Sequence, residues 1–190
     1  MTLIENSPEF AEIVTKRLVL VPMTRASLLC QVGFGPRMRA ELGEVLRAEV
    51  PAAWPPENWE PHVLDYLLGL IAESPETVGW CRYLLRREGE TRTLIGTFGA
   101  GLPKAETGES EIGYGLLPAW QRQGLAAEAV LGMLPWLEGQ KPIRAFVAQT
   151  FPHLYGSIRV LEKCGFAFAG EGFEAGAILY RRMCGSESEG

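Results

Sequence analysis

The sequence has few cysteines and histidines, the side chains that most often hold zinc. Its 190 residues include 4 cysteines and 2 histidines. The cysteines form no CxxC pair, and together with His62 and His153 they give no zinc-ligand spacing. They stand at Cys30, Cys81, Cys164 and Cys184. We therefore expect no bound metal, and we interpret the cysteines as small, buried, reduced thiols.

The chain also lacks an excess of positive charge and long apolar runs. The formal net charge is -5, which disfavours nucleic acid as a partner and weakly favours a cationic substrate. No apolar run is long enough to span a bilayer, and "MTLIENSPEF" lacks a basic segment followed by an apolar one. We therefore expect no signal peptide, no membrane partner and a cytoplasmic location.

The residues that are present fit a globular fold. With 47% hydrophobic and 22% charged residues, the chain has enough apolar material for a sizeable core. Neither a repeat nor a linker divides the chain, so we expect one domain over residues 1–190 with a flexible tail at 183–190.

Hydrophobic periodicity predicts a mixed α/β domain. Strands are predicted at 17–23, 79–87, 93–102, 110–118, 143–150, 166–171 and 177–183. Helices are predicted at 25–48 (interrupted by Gly33, Gly35 and Pro36), 62–73, 124–139 and 155–165. Pro135 should kink or shorten the third helix, and Gly165 should end the fourth in a left-handed conformation.

The stretch "AWQRQGLAAEAV", residues 119–130, carries the strongest functional signal. A strand ending near Pro118 leads into a helix that begins near Gly124, which leaves a row of backbone N–H groups at the positive end of the helix dipole. Gly124 and the small Ala126 let an anion approach these groups, and Arg122 adds charge. The stretch therefore predicts a phosphate-binding site. It lacks the Lys-Ser/Thr pair of a P-loop, and GxGxxG is absent.

The spacing Gln121-x-x-Gly124-x-Ala126 resembles the Q/R-x-x-G-x-G/A signature of the GNAT superfamily of acyl-CoA N-acyltransferases. "EIGYGLLPAWQRQGLAAEAV" and "SIRVLEKCGF" are similar to this family as well, as are "TKRLVLVPM" and "VGWCRYLLRREGETRTLIGTFG". The likeness covers most of the chain and is weakest between residues 25 and 75. It is greatest to the RimJ/RimL-like branch, whose named members acetylate protein amino termini.

The resemblance implies the GNAT fold, a single mixed and largely antiparallel splayed sheet flanked by helices, with acetyl-CoA as the cofactor. The strands at 110–117 and 143–150 should pair at one end and part at the other. Coenzyme A should enter this gap, with its pantetheine arm along Leu116 and Leu117. The remaining implied cofactor contacts are Gln121, Arg122, Gln123, Gly124, Leu125, Ala126, Ala127 and Ser157.

Three residues are candidates for the chemistry of acyl transfer. Glu111 is the candidate general base, and a water could bridge it to the amine. The alternative is an exposed carboxylate that pairs across the sheet. Glu109 is interpreted as a turn residue. Ser157 resembles a serine that contacts coenzyme A near its sulfur; the alternative is a helix-capping hydroxyl. Two positions depart from the pattern, Leu154 where Asn is usual and Leu161 where many relatives carry a Tyr general acid. Tyr155 or Ser157 could replace that acid, or the thiolate could leave unassisted.

The acceptor side is less defined. Trp54 and Trp59 lie in the region that shapes the acceptor pocket in this family, where they could bind an amine by cation–π contact. The alternative is a loop pinned to the core by its tryptophans. Tyr114 and Trp120 are interpreted as packing residues.

We therefore predict an N-acetyltransferase that moves the acetyl group to a protein amino terminus or a small-molecule amine. The first alternative is an acyl-CoA-binding regulatory module with little turnover, and the second is a nucleotide-binding enzyme. Dimerisation through a sheet edge stays open.

Overall fold

The computed structural model describes residues 11–32, 36–56, 59 and 61–185. These residues form two compact units. The first comprises the described parts of Met1–Phe98 and Gly115–Gln121, and the second comprises those of Gly99–Tyr114 and Arg122–Gly190. A single domain over 1–190 stays a prediction. The predicted break at Gly33 and Gly35 lies outside the described residues.

The strands are hydrogen-bonded in the order β1-β2-β3-β4-β5-β6-β8-β7, as one eight-stranded sheet. Their bounds are β1 Ile13–Val14, β2 Leu18–Pro22, β3 Cys81–Glu88, β4 Thr91–Ala100, β5 Glu109–Leu116, β6 Ala145–Thr150, β7 Ala167–Glu171 and β8 Ile178–Met183. Strands β5 and β6 run parallel, whereas β1–β2, β2–β3, β6–β8 and β7–β8 are antiparallel. The predicted class, a mixed and largely antiparallel sheet with helices, is confirmed. The short β1 was missed.

Five helices occur in the described residues: α1 Arg25–Leu29, α2 Pro36–Leu46, α3 Pro61–Glu73, α4 Leu125–Glu138 and α5 Tyr155–Lys163. Pro36 and Pro61 each open a helix, because a first-turn residue needs no N–H partner and proline has none to offer. None of these helices, within the described part of the chain, is long and apolar enough to cross a membrane.

In the first unit, apolar side chains of α1, α2, α3, β2 and β3 form one core. Its centre includes a polar cluster in which fully buried Gln31 joins two aromatic residues. The Trp54 indole donates to Gln31 Oε1 over 3.1 Å, and Gln31 Nε2 donates to the Tyr83 hydroxyl over 2.7 Å. The Gln31 amide thus bonds both the indole N–H and the phenolic hydroxyl. Burial of these polar groups therefore does not leave them without hydrogen-bond partners.

In the second unit, α4 supplies the apolar face that its i, i+4 spacing predicts, with Ala129, Val130 and Met133 among its most buried side chains. Strand β6 adds Phe146 and Val147, both with no exposed surface. Pro135 lies inside α4, and the helix continues to Glu138, close to the predicted end at residue 139, so Pro135 does not end the helix. The other predicted effect of Pro135, a kink, stays a prediction.

The ends of α5 and β8 can be compared with the predicted ends of these elements. Gly165 follows α5 with φ of 82°, and the Phe166 N–H donates back to the Leu161 carbonyl over 3.0 Å, so the predicted left-handed helix end is confirmed. Residues 183–185, part of the predicted flexible tail at 183–190, lie within the described structure. Met183 still belongs to β8, the Cys184 N–H donates to the Arg144 carbonyl over 3.1 Å, and residues 186–190 lie outside the described part.

Candidate functional site

The start of α4 has an uncommon backbone conformation. Gly124, the residue before the helix, has φ of 76°, and Arg122 has φ of 62°, so both lie in the left-handed region. Gly124 has no side chain with which to cap this helix. The first N–H groups of an α-helix have no acceptor within the helix, so those at residues 125–127 point toward the helix start as donors. The local geometry therefore fits a cradle for a phosphate-sized anion.

The side chains around this helix start leave the backbone approachable. Leu125 and Ala127 turn into the core, Ala126 is small and half-buried, and Arg122 is exposed. An Arg in the left-handed region costs about 1 kcal/mol relative to an ordinary conformation. That strain is consistent with a functional position rather than a packing one.

Leu116 and Leu117 are the predicted contacts of the pantetheine arm. Within the first unit, some of their backbone N–H and carbonyl groups already form hydrogen bonds. Leu117 donates its N–H to the Ile95 carbonyl over 2.8 Å and accepts from the Trp120 N–H over 2.9 Å. The Leu116 carbonyl accepts from the exposed Gln121 side chain over 2.9 Å. Of these bonds, the one from Gln121 is the easiest for a ligand to replace. Contact between the pantetheine arm and these residues stays a prediction.

Strands β5 and β6 pair over residues 109–111 and 145–147, whereas β5 continues to Leu116 and β6 to Thr150. The pairing at one end of the strands agrees with the expected splay. Glu111 is the last β5 residue in the pairing. Because side chains alternate along a strand, Glu111 lies on one face and Tyr114 on the other.

The Glu111 carboxylate is half-buried and held by one described side chain. Gln149 Nε2 donates to Glu111 Oε1 over 2.8 Å. Gln149 Oε1 in turn accepts from the backbone N–H groups of Phe173 and Glu174, in the loop between β7 and β8. A carboxylate fixed in this way can accept a proton from a group on its open side.

Glu109, on the same face two residues earlier, is not a turn residue as predicted. It is the first residue of β5, and its Oε1 lies 2.7 Å from Arg181 Nη2 in an ion pair. The two carboxylates therefore differ: Glu109 is paired with a cation, and Glu111 with a neutral amide.

On the opposite face, two hydroxyl groups meet. The Tyr114 hydroxyl lies 3.4 Å from Ser157 Oγ and donates to the Ser157 carbonyl over 3.3 Å. Burial raises the pKa of Tyr114 to about 12, although its hydrogen bond with Ser157 favours the ionised form. Tyr114 therefore stays protonated across the working pH range and acts as a hydrogen-bond donor.

The start of α5 does not follow the capping alternative for Ser157. The residue before the helix is Leu154, which supplies no side-chain cap, and Ser157 is the third helical residue. Its hydroxyl contacts Tyr114 instead. Tyr155 opens the helix and is 71% exposed, and Leu161 is buried in the core. The structure therefore groups Ser157 with Tyr114, while the catalytic role of Tyr155 stays a prediction.

Trp54 and Trp59 match the packing alternative. Trp54 is 2% exposed, and its ring centroid lies 6.0 Å from that of Trp59 and 6.1 Å from that of Tyr83. Trp59 packs against the same core, and its buried indole N–H has no partner among the described residues. A buried ring cannot offer its face to an amine, so nothing in this placement supports substrate contact by Trp54.

Sequence reasoning did not select Gln149 and interpreted Tyr114 only as packing. The signal for Gln149 was faint: it is the one amide side chain in the apolar strand "AFVAQT". No group of three or more His, Cys, Asp or Glu side chains is placed to hold a metal ion in the described part of the chain.

A family model for the acetyltransferase (GNAT) domain matches residues 17–167. No curated protein sequence matches significantly. Among solved structures, the fold is similar to a ribosomal-protein-S5-alanine acetyltransferase from Vibrio fischeri, with TM-score 0.60 and 17% identity over 91% of this chain and 96% of that one. It is also similar to RimL, a ribosomal L7/L12 alpha-N-protein acetyltransferase, with TM-score 0.58 and 17% identity over 92% and 94% of the two chains.

A third similar structure is the microcin C7 self-immunity acetyltransferase MccE in complex with acetyl-CoA and AMP. Its TM-score is 0.58, with 12% identity over 96% of this chain and all of that one. At these low sequence identities, the three similarities show a shared fold and nothing more.

Proposed function

We propose that this chain, which belongs to the GNAT acetyltransferase family and so is an acetyl-CoA-dependent acetyltransferase, transfers the acetyl group directly to a primary amine. The observation that carries this proposal is the distribution of polar groups on β5. Glu111 lies on one face, and the Tyr114 and Ser157 hydroxyls meet on the other, where β5 continues beyond its pairing with β6. A proton acceptor for the amine and a hydroxyl for the departing sulfur therefore lie on opposite faces of one strand.

The uncapped start of α4 is the proposed site for the diphosphate of acetyl-CoA. The left-handed Arg122 and Gly124 turn the chain so that the N–H groups at the helix start converge, and the Arg122 guanidinium adds charge. When bound there, acetyl-CoA supplies the acetyl group as an activated thioester. Leu116 and Leu117 remain the proposed contacts of the pantetheine arm.

Glu111 is the proposed general base. An amine attacks only in its neutral form, so a carboxylate within reach, directly or through one water, must take its proton. The bond from Gln149 engages one oxygen of Glu111, and the other oxygen has no described partner. Holding amine and thioester side by side makes direct transfer sufficient, with no acyl-enzyme.

Ser157 is the proposed hydroxyl near the departing sulfur. Tyr114 orients it through the paired hydroxyls, in place of the Tyr that many relatives carry at the position of Leu161. Leu161 is 1% exposed and apolar, so it cannot take that role. Tyr155 is the second candidate donor, because it is exposed at the start of the same helix.

The acceptor class we propose is a protein amino terminus or a small amine, as in the RimJ/RimL-like branch. Two proteins of similar fold, RimL and the S5-alanine enzyme, are ribosomal-protein acetyltransferases, which supports a protein substrate. The fold does not choose between these acceptors, because MccE, a microcin self-immunity enzyme, has a similar fold.

The test is thiol release from acetyl-CoA across a panel of peptides with free amino termini, polyamines and amino acids, with N-acetylated peptides as blanks. Glu111→Gln should lower kcat about 100-fold for any accepted amine, the usual loss of a general base. Its Kd for acetyl-CoA should stay unchanged, because Glu111 does not contact the start of α4 in this proposal.

Glu109→Gln is the matched control, since it removes a carboxylate from the same face of β5 two residues away. It should retain most of the activity. Equal losses in the two variants would overturn the assignment of Glu111. Tight acetyl-CoA binding without thiol release for any amine would favour the regulatory-module alternative.

A further inference from the structure

We propose that Gln149 is a positioning residue for acetyl transfer, which holds the Glu111 carboxylate in the orientation that proton transfer requires. This inference rests on the proposed function of Glu111. It starts from a chain of contacts within the second unit, from Glu111 through the Gln149 amide to the loop between β7 and β8.

The partners of Gln149 determine which way its amide points. Backbone N–H groups can only donate, and both Phe173 and Glu174 direct theirs at Gln149. The amide oxygen must therefore face the loop, and the NH₂ group must face Glu111. Gln149 thus presents a donor, not an acceptor, to the ionised carboxylate.

The scaffold that holds Gln149 has little freedom. Gln149 lies in β6 opposite Leu179 of β8, and the loop closes on itself through a 2.8 Å bond from the Gly172 N–H to the Ala177 carbonyl. A Cβ at Gly172 would lie 2.8 Å from Gln149 Oε1, so the amide is tightly enclosed on the loop side. The bonds from the loop therefore fix the orientation of the Gln149 amide that faces Glu111.

This arrangement has a direct consequence for the carboxylate. One oxygen is engaged by Gln149, so rotation of the Glu111 side chain costs a hydrogen bond to a charged group. The other oxygen is then held toward the side where a water or amine approaches. A misplacement of about 1 Å can lower a rate about 100-fold, so losing this restraint should reduce kcat.

Two substitutions separate positioning from loop anchoring. Gln149→Met keeps the approximate shape of the side chain and removes all of its side-chain hydrogen bonds. Gln149→Glu can still accept from Phe173 and Glu174 but cannot donate to an ionised Glu111. We expect both variants to lose about ten-fold or more in kcat with a peptide amine, while Kd for acetyl-CoA stays unchanged.

The decisive measurement is a double-mutant cycle. In the Glu111→Gln background, Gln149→Met should cause no further loss of kcat, because Gln149 acts only through Glu111. Gln140→Met, the same change at an exposed glutamine that bonds to the Trp136 carbonyl, is the control and should keep wild-type rates. Thermal unfolding verifies that each variant is folded, and Gln149→Asn, whose amide is too short to span both partners, replaces Gln149→Met if that variant does not fold.

The outcomes are distinct. Wild-type kcat in Gln149→Glu, alongside a loss in Gln149→Met, would mean that Gln149 only anchors the loop. Multiplicative losses in the cycle would mean that it acts independently of Glu111. Full activity of Glu111→Gln alone would remove the base on which the inference rests, and that result identifies a failure of the proposed function instead.

Discussion

Helices α1 and α4 both follow a loop, yet the residue that precedes the helix treats the first backbone N–H groups differently in the two cases. At α1, Thr24 has an extended conformation, its hydroxyl accepts from the Ser27 N–H over 3.3 Å, and the Ser27 hydroxyl accepts from the Thr24 N–H over 3.0 Å. At α4, the residue before the helix is Gly124, which has a left-handed conformation and no side chain to cap the helix.

The difference indicates how each start serves the protein. The reciprocal bonds at α1 form a capping box, which satisfies two donors from within the chain and stabilises the helix. At α4 the residue before the helix is a glycine, which has no side chain to form such a bond, and a left-handed Arg122 lies two residues earlier. We interpret the first N–H groups of α4 as donors for an external anion, because this left-handed turn distinguishes α4 from α5, which also lacks a side-chain cap from the residue before it. The following variants test this interpretation.

The largest effect is expected at Gly124. Gly124→Val places a branched side chain beside the donor row in a left-handed conformation, so Kd for acetyl-CoA should rise about 100-fold, equivalent to one or two charge-assisted hydrogen bonds. Calorimetric titration gives the affinity. Gly89→Val is the matched control, because Gly89 has φ of 58° and open space around it. Both variants should lose stability, and only Gly124→Val should lose the cofactor; equal affinities in the two would contradict the role of α4.

A smaller effect is expected at Arg122, where substitution should raise stability but weaken acetyl-CoA binding. Arg122→Gly relieves left-handed strain and should raise the free energy of unfolding by about 0.5 kcal/mol, while it removes a cation from the site. Kd for acetyl-CoA should rise about five-fold, and the loss should shrink as salt is added. Denaturant unfolding and titration at two salt concentrations measure both. Arg47→Gly, at φ of 50°, should gain the stability alone; a cofactor effect there would show that the charge at Arg122 is not special.

The smallest effect is expected at the capped helix. Thr24→Ala removes the capping box of α1 and should lower the free energy of unfolding by about 1 kcal/mol. Acetyl-CoA affinity should not change, because the bonds that are lost lie within the chain. Thermal unfolding in the presence and absence of acetyl-CoA measures both quantities. A cofactor-dependent loss would mean that the two helix starts are not independent.

Local features of the candidate site could be predicted from the sequence. The start of a helix near Gly124 depends on residues within one turn, where the 3.6-residue period decides the conformation. The placement of Glu111 on a strand followed from the same reasoning. The left-handed end of α5 at Gly165 was also a local prediction. The left-handed conformation of Gly124 and Arg122 was seen only in the structure.

Contacts between distant segments could not be predicted in this way. Gln149 meets Glu111 because β5 and β6 pair in parallel with Glu111 opposite Val147, and a shift by one residue would turn Gln149 to the other face. The same applies to Tyr114 and Ser157. Trp54 was expected near the substrate, but its indole N–H found a buried partner in Gln31, so burial costs it no hydrogen bond.

The sequence by itself determined the family, the order of the strands and helices apart from the short β1, and the glycine that precedes α4, because each depends on residues close together in the chain. Only the tertiary structure decided which side chains act on Glu111 and Ser157. Those partners are 38 and 43 residues away, and they are brought into contact by strand register and core packing, which no local pattern encodes.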